Sequence, residues 1–191
     1  MSRRMGPAGS ENWNAMLDAA DRVLREEGYA ALTSRRIAER LGIKQRLVYY
    51  YFHTMDDLIT EMFRRSSVRE LESLRLAAAS QRPLTQIWYI GTHTKDSSWI
   101  TECMALAYHV PGLRREVIAF IEESRRIQVE VITAALKKKD VKLTIPPPAL
   151  AIIATSVALS VGREADLGTT SGHAAVMEVI WRYLRDLDNG E

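Results

Sequence analysis

The sequence predicts an all-α fold: a small N-terminal unit of three helices followed by a larger helical body, about nine helices in total. Three observations predict it. Apolar residues recur at spacings of three and four along nearly the whole chain, the period of a helix with one buried face. No window alternates apolar and polar residues as a half-buried strand does. Glycine, proline and capping residues stand where the periodic segments begin and end.

The first segment carries Trp13, Met16, Leu17, Ala20, Val23 and Leu24 on one stripe. Gly28 follows it and suits a left-handed helix end. Thr33 is placed to cap a second, short helix whose inner face is Ile37, Ala38 and Leu41. Gly42 breaks the pattern, and a third helix runs from about Lys44 to Phe52. Thr54-Met-Asp-Asp57 has the form of a capping box, in which the Thr54 oxygen and the Asp57 carboxylate satisfy each other's backbone N–H groups. A long fourth helix continues to about Ser80.

Pro83 fits the first turn of a fifth helix carrying Leu84, Ile87, Trp88 and Gly91. A sixth is expected from about Ser97 to Tyr108. Pro111 opens a seventh that reaches about Lys138, with Val117, Phe120, Ile121, Ile127, Val131, Ala134 and Ala135 at helical spacing. Val141 to Pro148 is expected to be a break, with its three prolines in an extended polyproline path. Helix resumes from about Ala149 to Ala165, and a last one follows a loop at Gly168 to Gly172.

Composition narrows the class. Hydrophobic residues are 47% and charged residues 26%, which excludes a disordered or collagenous chain. Cys103 is the single cysteine and cannot form an internal disulfide, which points to a reducing compartment. The basic start, Met1 to Ser10, is followed by no apolar core of a secretory signal. The most apolar stretch, Ala149 to Val161, is 13 residues and reads as a buried helix. The expected location is the cytoplasm.

Residues 34 to 52 carry the most specific pattern. Ile37, Ala38, Leu41, Ile43, Val48 and Tyr51 point inward, Ala38 is small enough for two helices to approach, and Gly42 supplies the turn. This is the logic of a helix-turn-helix, whose second helix enters the major groove. Charge agrees. From Thr33 to Thr54 the basic residues are Arg35, Arg36, Arg40, Lys44 and Arg46 against the single acid Glu39, a net +4 in a chain whose total is +2. A basic face on a near-neutral remainder is what phosphate contact requires. Gln45, Arg46, Tyr49 and Tyr50 lie off the inner face, and such side chains reach base edges and phosphates.

From Thr33 through Phe63 the chain resembles the DNA-binding segment of the tetracycline-repressor (TetR) family of bacterial regulators. The resemblance rests on Thr33, Ile37-Ala38, Leu41-Gly42, Tyr49-Tyr-Tyr-Phe52 and Asp56-Asp-Leu58. It departs at Lys44, where members usually carry Ser, and at Met55, where many carry a phosphate-contacting Lys. Lys44, Arg46 or Thr54 is expected to compensate for it. The resemblance implies a DNA-binding domain at 1–65 and a ligand-binding and dimerising domain at 66–191. It implies DNA contacts from Thr33, Arg35, Arg36, Lys44, Gln45, Arg46, Tyr49, Tyr50, His53 and Thr54. The expected partners are a palindromic double-stranded operator, a small apolar or amphipathic effector and a second copy of the chain, with no cofactor, metal or membrane.

Effector candidates on the middle helices are Trp88, Tyr89, Thr92, His93, Trp99, Cys103, Met104, Tyr108, His109 and Phe120. An aromatic stripe packs a core as readily as it lines a cavity, and both readings stand. The last two helices offer a dimer face: a small-residue stripe of Ala151, Ala154, Thr155, Ala158 and Gly162, and a large apolar stripe of Met177, Ile180, Trp181 and Leu184. Packing within one chain is the alternative. For function, the alternatives are a helical interaction protein or an enzyme on the same fold without sequence-specific DNA binding. Against an enzyme stand the lack of a glycine-rich phosphate loop, of a Gly-x-Ser-x-Gly elbow and of metal-ligand spacing among the histidines.

Overall fold

The computed structural model describes residues 7–94, 97–140 and 144–189. Among these residues there are nine α-helices and no strand. The helices are α1 (Glu11–Glu27), α2 (Ser34–Leu41), α3 (Gln45–Tyr51), α4 (Met55–Ala78), α5 (Pro83–Tyr89), α6 (Ser97–Ala107), α7 (Pro111–Lys138), α8 (Pro147–Asp166) and α9 (His173–Asp188). A one-turn 3₁₀ segment, Tyr29–Ala31, precedes α2, and a π-helical segment, Ile90–Thr94, follows α5.

The chain forms two compact units. The first runs up to Ser67 and takes in Trp99–Ile118; the second comprises Val68–Ser98 and the chain after Ile118. The first unit therefore holds a segment, 99–118, that a single division near residue 65 leaves with the body.

The core of the first unit is built by the expected stripe of α1. Met16, Leu17, Ala20 and Val23 are fully buried, together with Ile37, Val48, Phe52, Leu58, Met62 and Leu113. Trp13 stacks on Phe52 with ring centroids 5.7 Å apart, and Phe63 lies nearly parallel to Trp99 at 5.8 Å. The Thr33 oxygen accepts from the Arg36 N–H at 3.1 Å and starts α2. Thr54 and Asp57 form the capping box in both directions, each bond 3.0 Å long. Gly42 ends α2 at φ 64°, ψ 28°, the left-handed conformation that glycine adopts without the steric cost of a Cβ. Gly28 has a positive φ of 77° but an extended ψ of 176°, so it is not the left-handed cap that sequence suggested. Gly112 answers a close approach: a Cβ there would stand 2.9 Å from the Thr60 hydroxyl.

In the second unit Leu84, Val131 and Ala135 pack with Ile87, Ile132, Leu184 and Leu187. Pro83 opens α5, and the next two backbone N–H groups donate to the Asp188 carboxylate at 3.2 and 2.8 Å. Three expectations need correction. The fifth helix does not run on through Gly91: after Tyr89 it widens into the π segment, where the Thr92 hydroxyl donates to the Trp88 carbonyl at 2.9 Å. The prolines do not hold an extended path. Pro146 is extended at φ −69°, ψ 148°, but Pro147 and Pro148 are the first turn of α8, where missing N–H groups cost nothing. Residues 141–143 of that expected break, and 1–6 of the basic N-terminus, lie outside the described residues. Finally, α8, which holds the apolar stretch Ala149 to Val161, is not a buried helix. It spans 20 residues, with a mean hydropathy of 1.2 over its most apolar window, of which 11% is buried. By length and composition alone it could cross a membrane.

Candidate functional site

The exposed face of the helix-turn-helix is set by one buried polar residue. Ser34 is 4% exposed, on the same side of α2 as Ile37 and Ala38. Its hydroxyl donates to the Tyr49 hydroxyl at 3.0 Å and accepts from the Gln45 side-chain amide at 2.8 Å. Two outward residues of α3 are thereby tied to the start of α2, which fixes the roll of α3 about its own axis. Val48 and Tyr51 bury its other face.

The basic residues divide into two groups. Arg40 bridges the end of α1, its Nη2 2.6 Å from both Glu26 and Glu27. Arg36 Nε lies 2.8 Å from Glu27, and Arg35 Nε 2.9 Å from Glu39. The side-chain hydrogen bond from Arg36 holds the Glu27 carboxyl below its ordinary value, with Arg40 adding to it. Among the described residues, Lys44 and Arg46 have no acidic partner, and both are exposed. Counting Glu26 and Glu27 with the segment lowers its net charge from +4 to +2. The uncompensated charge thus stands on α3 and at its N-cap, not on α2.

The remaining sequence candidates fall around this pair. Tyr49 and Tyr50 are exposed, Tyr50 edge-on to the buried Tyr51 at 5.2 Å. His53 and Thr54 are exposed in the turn after α3, and the Thr54 oxygen is engaged in the capping box. Thr33 is exposed with its oxygen engaged as a cap. Sequence reasoning missed Ser34, Glu26 and Glu27. The Ser34 signal was present, since 34, 37 and 38 share a helix face.

The second unit contains an apolar cavity of about 90 Å³. It is lined by Leu74, Leu84, Ile87, Trp88, Gly91, Gln128, Ile132, Ala154, Thr155, Ala158, Leu159, Ile180 and Leu184. Of the expected effector residues, Trp88 lines it. Tyr89 and His93 are exposed and stack on one another at 4.4 Å, with the Thr92 hydroxyl 2.7 Å from His93 Nδ1. Phe120 does not line the cavity. Trp99, Cys103 and Met104 belong to the first unit, where Trp99 and Cys103 are core. Tyr108 is 83% exposed and His109 is exposed.

Of the expected dimer stripes, Ala151 and Ala158 are buried within the chain and the other residues are half-buried. Ala154, Thr155, Ala158, Ile180 and Leu184 line the cavity, Ala151 is buried, and a Cβ on Gly91 would touch Ala158 at 3.5 Å. A Cβ on Gly162 would meet Ser97 at 3.0 Å, and Trp181 lies 6.5 Å from His93. Met177 is half-buried. The apolar residues left in solvent are others: Ile152 and Ile153 on α8, and Val176, Val179 and Tyr183 on α9. No group of three His, Cys, Asp or Glu side chains among the described residues is arranged to hold a metal ion.

Comparison with known proteins agrees with this architecture. Residues 16–62 match the family model for bacterial regulatory proteins of the tetR family. A TetR transcription regulator from Haloarcula marismortui superposes with a TM-score of 0.74 at 19% identity, over 94% of this chain and 97% of its own. A protein from Saccharomonospora viridis described as a transcriptional regulator, solved in complex with choline, gives 0.76 at 18%, over 92% and 94%. The fatty acid degradation regulator FadR from Bacillus halodurans gives 0.66 at 14%, over 96% and 98%. No protein of curated function matches the sequence. At these identities the likeness to the solved structures is one of fold, and the family match is confined to residues 16–62.

Proposed function

We propose that this chain is a ligand-responsive transcriptional regulator, a repressor, which binds a palindromic DNA operator as a homodimer in the cytoplasm and is released by a small effector. Residues 1–65 are read as the DNA-binding head and 66–191 as the effector-binding and dimerising body. The observation that carries this reading is α3: a short helix held in fixed roll by Ser34, with Lys44, Arg46, Tyr49 and Tyr50 all exposed and the two cations without acidic partners. Arg and Lys there supply phosphate and guanine contacts, and the tyrosines supply phosphate contacts. Gln45 keeps its carbonyl for a base edge while its amide stays on Ser34.

Dimerisation is assigned to α8 and α9. Their exposed apolar residues, Ile152, Ile153, Val176, Val179 and Tyr183, need cover, and a second copy provides it through a twofold four-helix bundle. Two recognition helices about one helical turn, roughly 34–36 Å, apart would then meet adjacent major grooves. An effector bound in the second unit releases DNA only if it prefers a state with different head spacing. The S. viridis neighbour holds choline, whereas the cavity here offers no carboxylate to a quaternary ammonium.

The test is a selection of binding sites from fragmented genomic DNA, followed by the double variant Lys44→Ala/Tyr49→Ala. The reading requires that selected fragments lose binding while helical content and dimerisation stay unchanged. Normal binding by the double variant would remove α3 from the groove and the reading with it.

A further inference from the structure

In a helix-turn-helix the first helix crosses the DNA backbone, so cations on α2 stand where phosphates pass. Arg36 is such a cation, and its guanidinium is occupied. Its Nε donates to the two Glu27 carboxylate oxygens at 3.1 and 2.8 Å, and its Nη2 donates to one of them at 3.1 Å. Holding an anion with two prongs of the guanidinium is also how arginine binds phosphate. The pair lies at the surface, with 41% of the Arg36 side chain and 26% of the Glu27 side chain exposed. Exposed ion pairs add little to folding stability, so stability alone does not account for it. Arg40 is held differently, between Glu26 and Glu27 at 2.6 Å from each. Glu39 also approaches Arg36, at 3.6 Å, but its close contact, 2.9 Å, is with Arg35.

We propose that Glu27 masks Arg36 from DNA, standing in the place of a phosphate, and so keeps the affinity of the head for DNA of arbitrary sequence low. The proposal rests on reading residues 1–65 as a DNA-binding head. Sequence-independent affinity grows with the number of phosphates that lysine and arginine neutralise. A phosphate that takes Arg36 from Glu27 exchanges one charge-assisted pair for another and leaves a carboxylate unpaired beside the polyanion. The ion pair carries no net charge, so it adds no attraction at a distance either. Lys44 and Arg46, exposed and without acidic partners among the described residues, are left to make the contacts of α3. A protein that must find one site among many competing ones benefits from a low sequence-independent term.

The experiment uses the full chain, a duplex of random sequence as probe, and four proteins: unmodified, Glu27→Gln, Arg36→Ala and the double variant. Affinity is measured across a salt series. Glu27→Gln keeps the shape of the side chain and removes its charge. It should free one phosphate contact per protomer, which steepens log affinity against log salt by about 1.8 in the proposed dimer. Between about 50 and 200 mM salt its affinity should then fall about twelvefold further than that of the unmodified chain. Arg36→Ala should change the slope little on the unmodified chain and by about 1.8 on Glu27→Gln, since only there is the guanidinium free. An unchanged slope in Glu27→Gln, or equal effects of Arg36→Ala in the two backgrounds, would overturn the proposal. Equal effects would mean that net charge alone acts. Circular dichroism checks that each variant is folded, and Arg36→Met, which keeps an apolar stem, replaces Arg36→Ala if that variant is not. If the unmodified chain selects an operator while Glu27→Gln leaves the slope unmoved, the masking fails and the regulator reading stands. Absence of DNA binding by all four proteins overturns both.

Discussion

Ser34→Ala tests how α3 is held. The substitution removes a hydroxyl that makes two bonds, 3.0 Å to the Tyr49 hydroxyl and 2.8 Å to the Gln45 amide. A neutral hydrogen bond contributes about 0.5–1.5 kcal/mol net, and both partners sit on exposed residues where water can replace the lost bond. The expected cost is therefore about 1–2 kcal/mol, not the larger penalty of two stranded buried groups. For a chain of this size that is a fall in Tm of roughly 2–8 °C. Stability is one readout; the cycle Ser34→Ala, Gln45→Ala and the pair is the sharper one. The two substitutions should couple by about 0.5–1.5 kcal/mol, because each breaks the same bond. DNA affinity of Ser34→Ala should fall while its salt dependence stays constant, since no phosphate-binding charge is removed. Zero coupling in the cycle, or a variant with unchanged melting and unchanged DNA affinity, would refute the claim that Ser34 sets the roll of α3.

Three further outcomes are expected. Thr54→Ala opens the capping box at the start of α4 and should cost about 0.5–2 kcal/mol in denaturant unfolding, while Thr54→Ser should keep most of it. Acid should destabilise the chain through carboxylates whose folded pKa is depressed. Arg126 first, then Arg75, brings Glu123 from 4.5 to about 2, so its contribution is present above pH 4.5 and lost as pH falls towards 2. Glu123→Gln should flatten that limb of a Tm-against-pH curve, and an unchanged limb would count against the pairing. Val179→Asp, at a site 50% exposed on α9, should leave helical content intact and give a monomer by analytical ultracentrifugation. A dimer that survives it would move the interface away from α9.

What the sequence made legible was local. The cap at Thr33, the box at Thr54–Asp57, the turn at Gly42 and the proline starts of α5 and α7 each depend on a few neighbouring residues, and each forms as the spacing predicts. What it hid was pairing between distant segments. The +4 of the helix-turn-helix looked uniform because Glu26 and Glu27 lie outside that window, at the end of α1. The stripe Ala154-Thr155-Ala158 permits close approach by any helix, and period alone cannot say whether the neighbour belongs to the same chain. Here the π segment at Gly91 and the cavity take that face, which leaves Ile152 and Ile153 outside. The cavity brings together Trp88, expected among the effector residues, with Ala154, Thr155, Ala158, Ile180 and Leu184, which period alone assigns to a dimer face.

The central claim is that α3 and its cap bring uncompensated positive charge to DNA phosphates. It is tested most directly by the affinity of the full chain for a selected genomic fragment across a salt series. Lys44 and Arg46 supply two such charges per protomer and four per dimer. At about −0.9 per phosphate contact, log affinity against log salt should fall with a slope of about −3.6 or steeper. Lys44→Ala should make it shallower by about 1.8 in the dimer. A flat response, or a steep one that Lys44→Ala leaves untouched, would contradict the account.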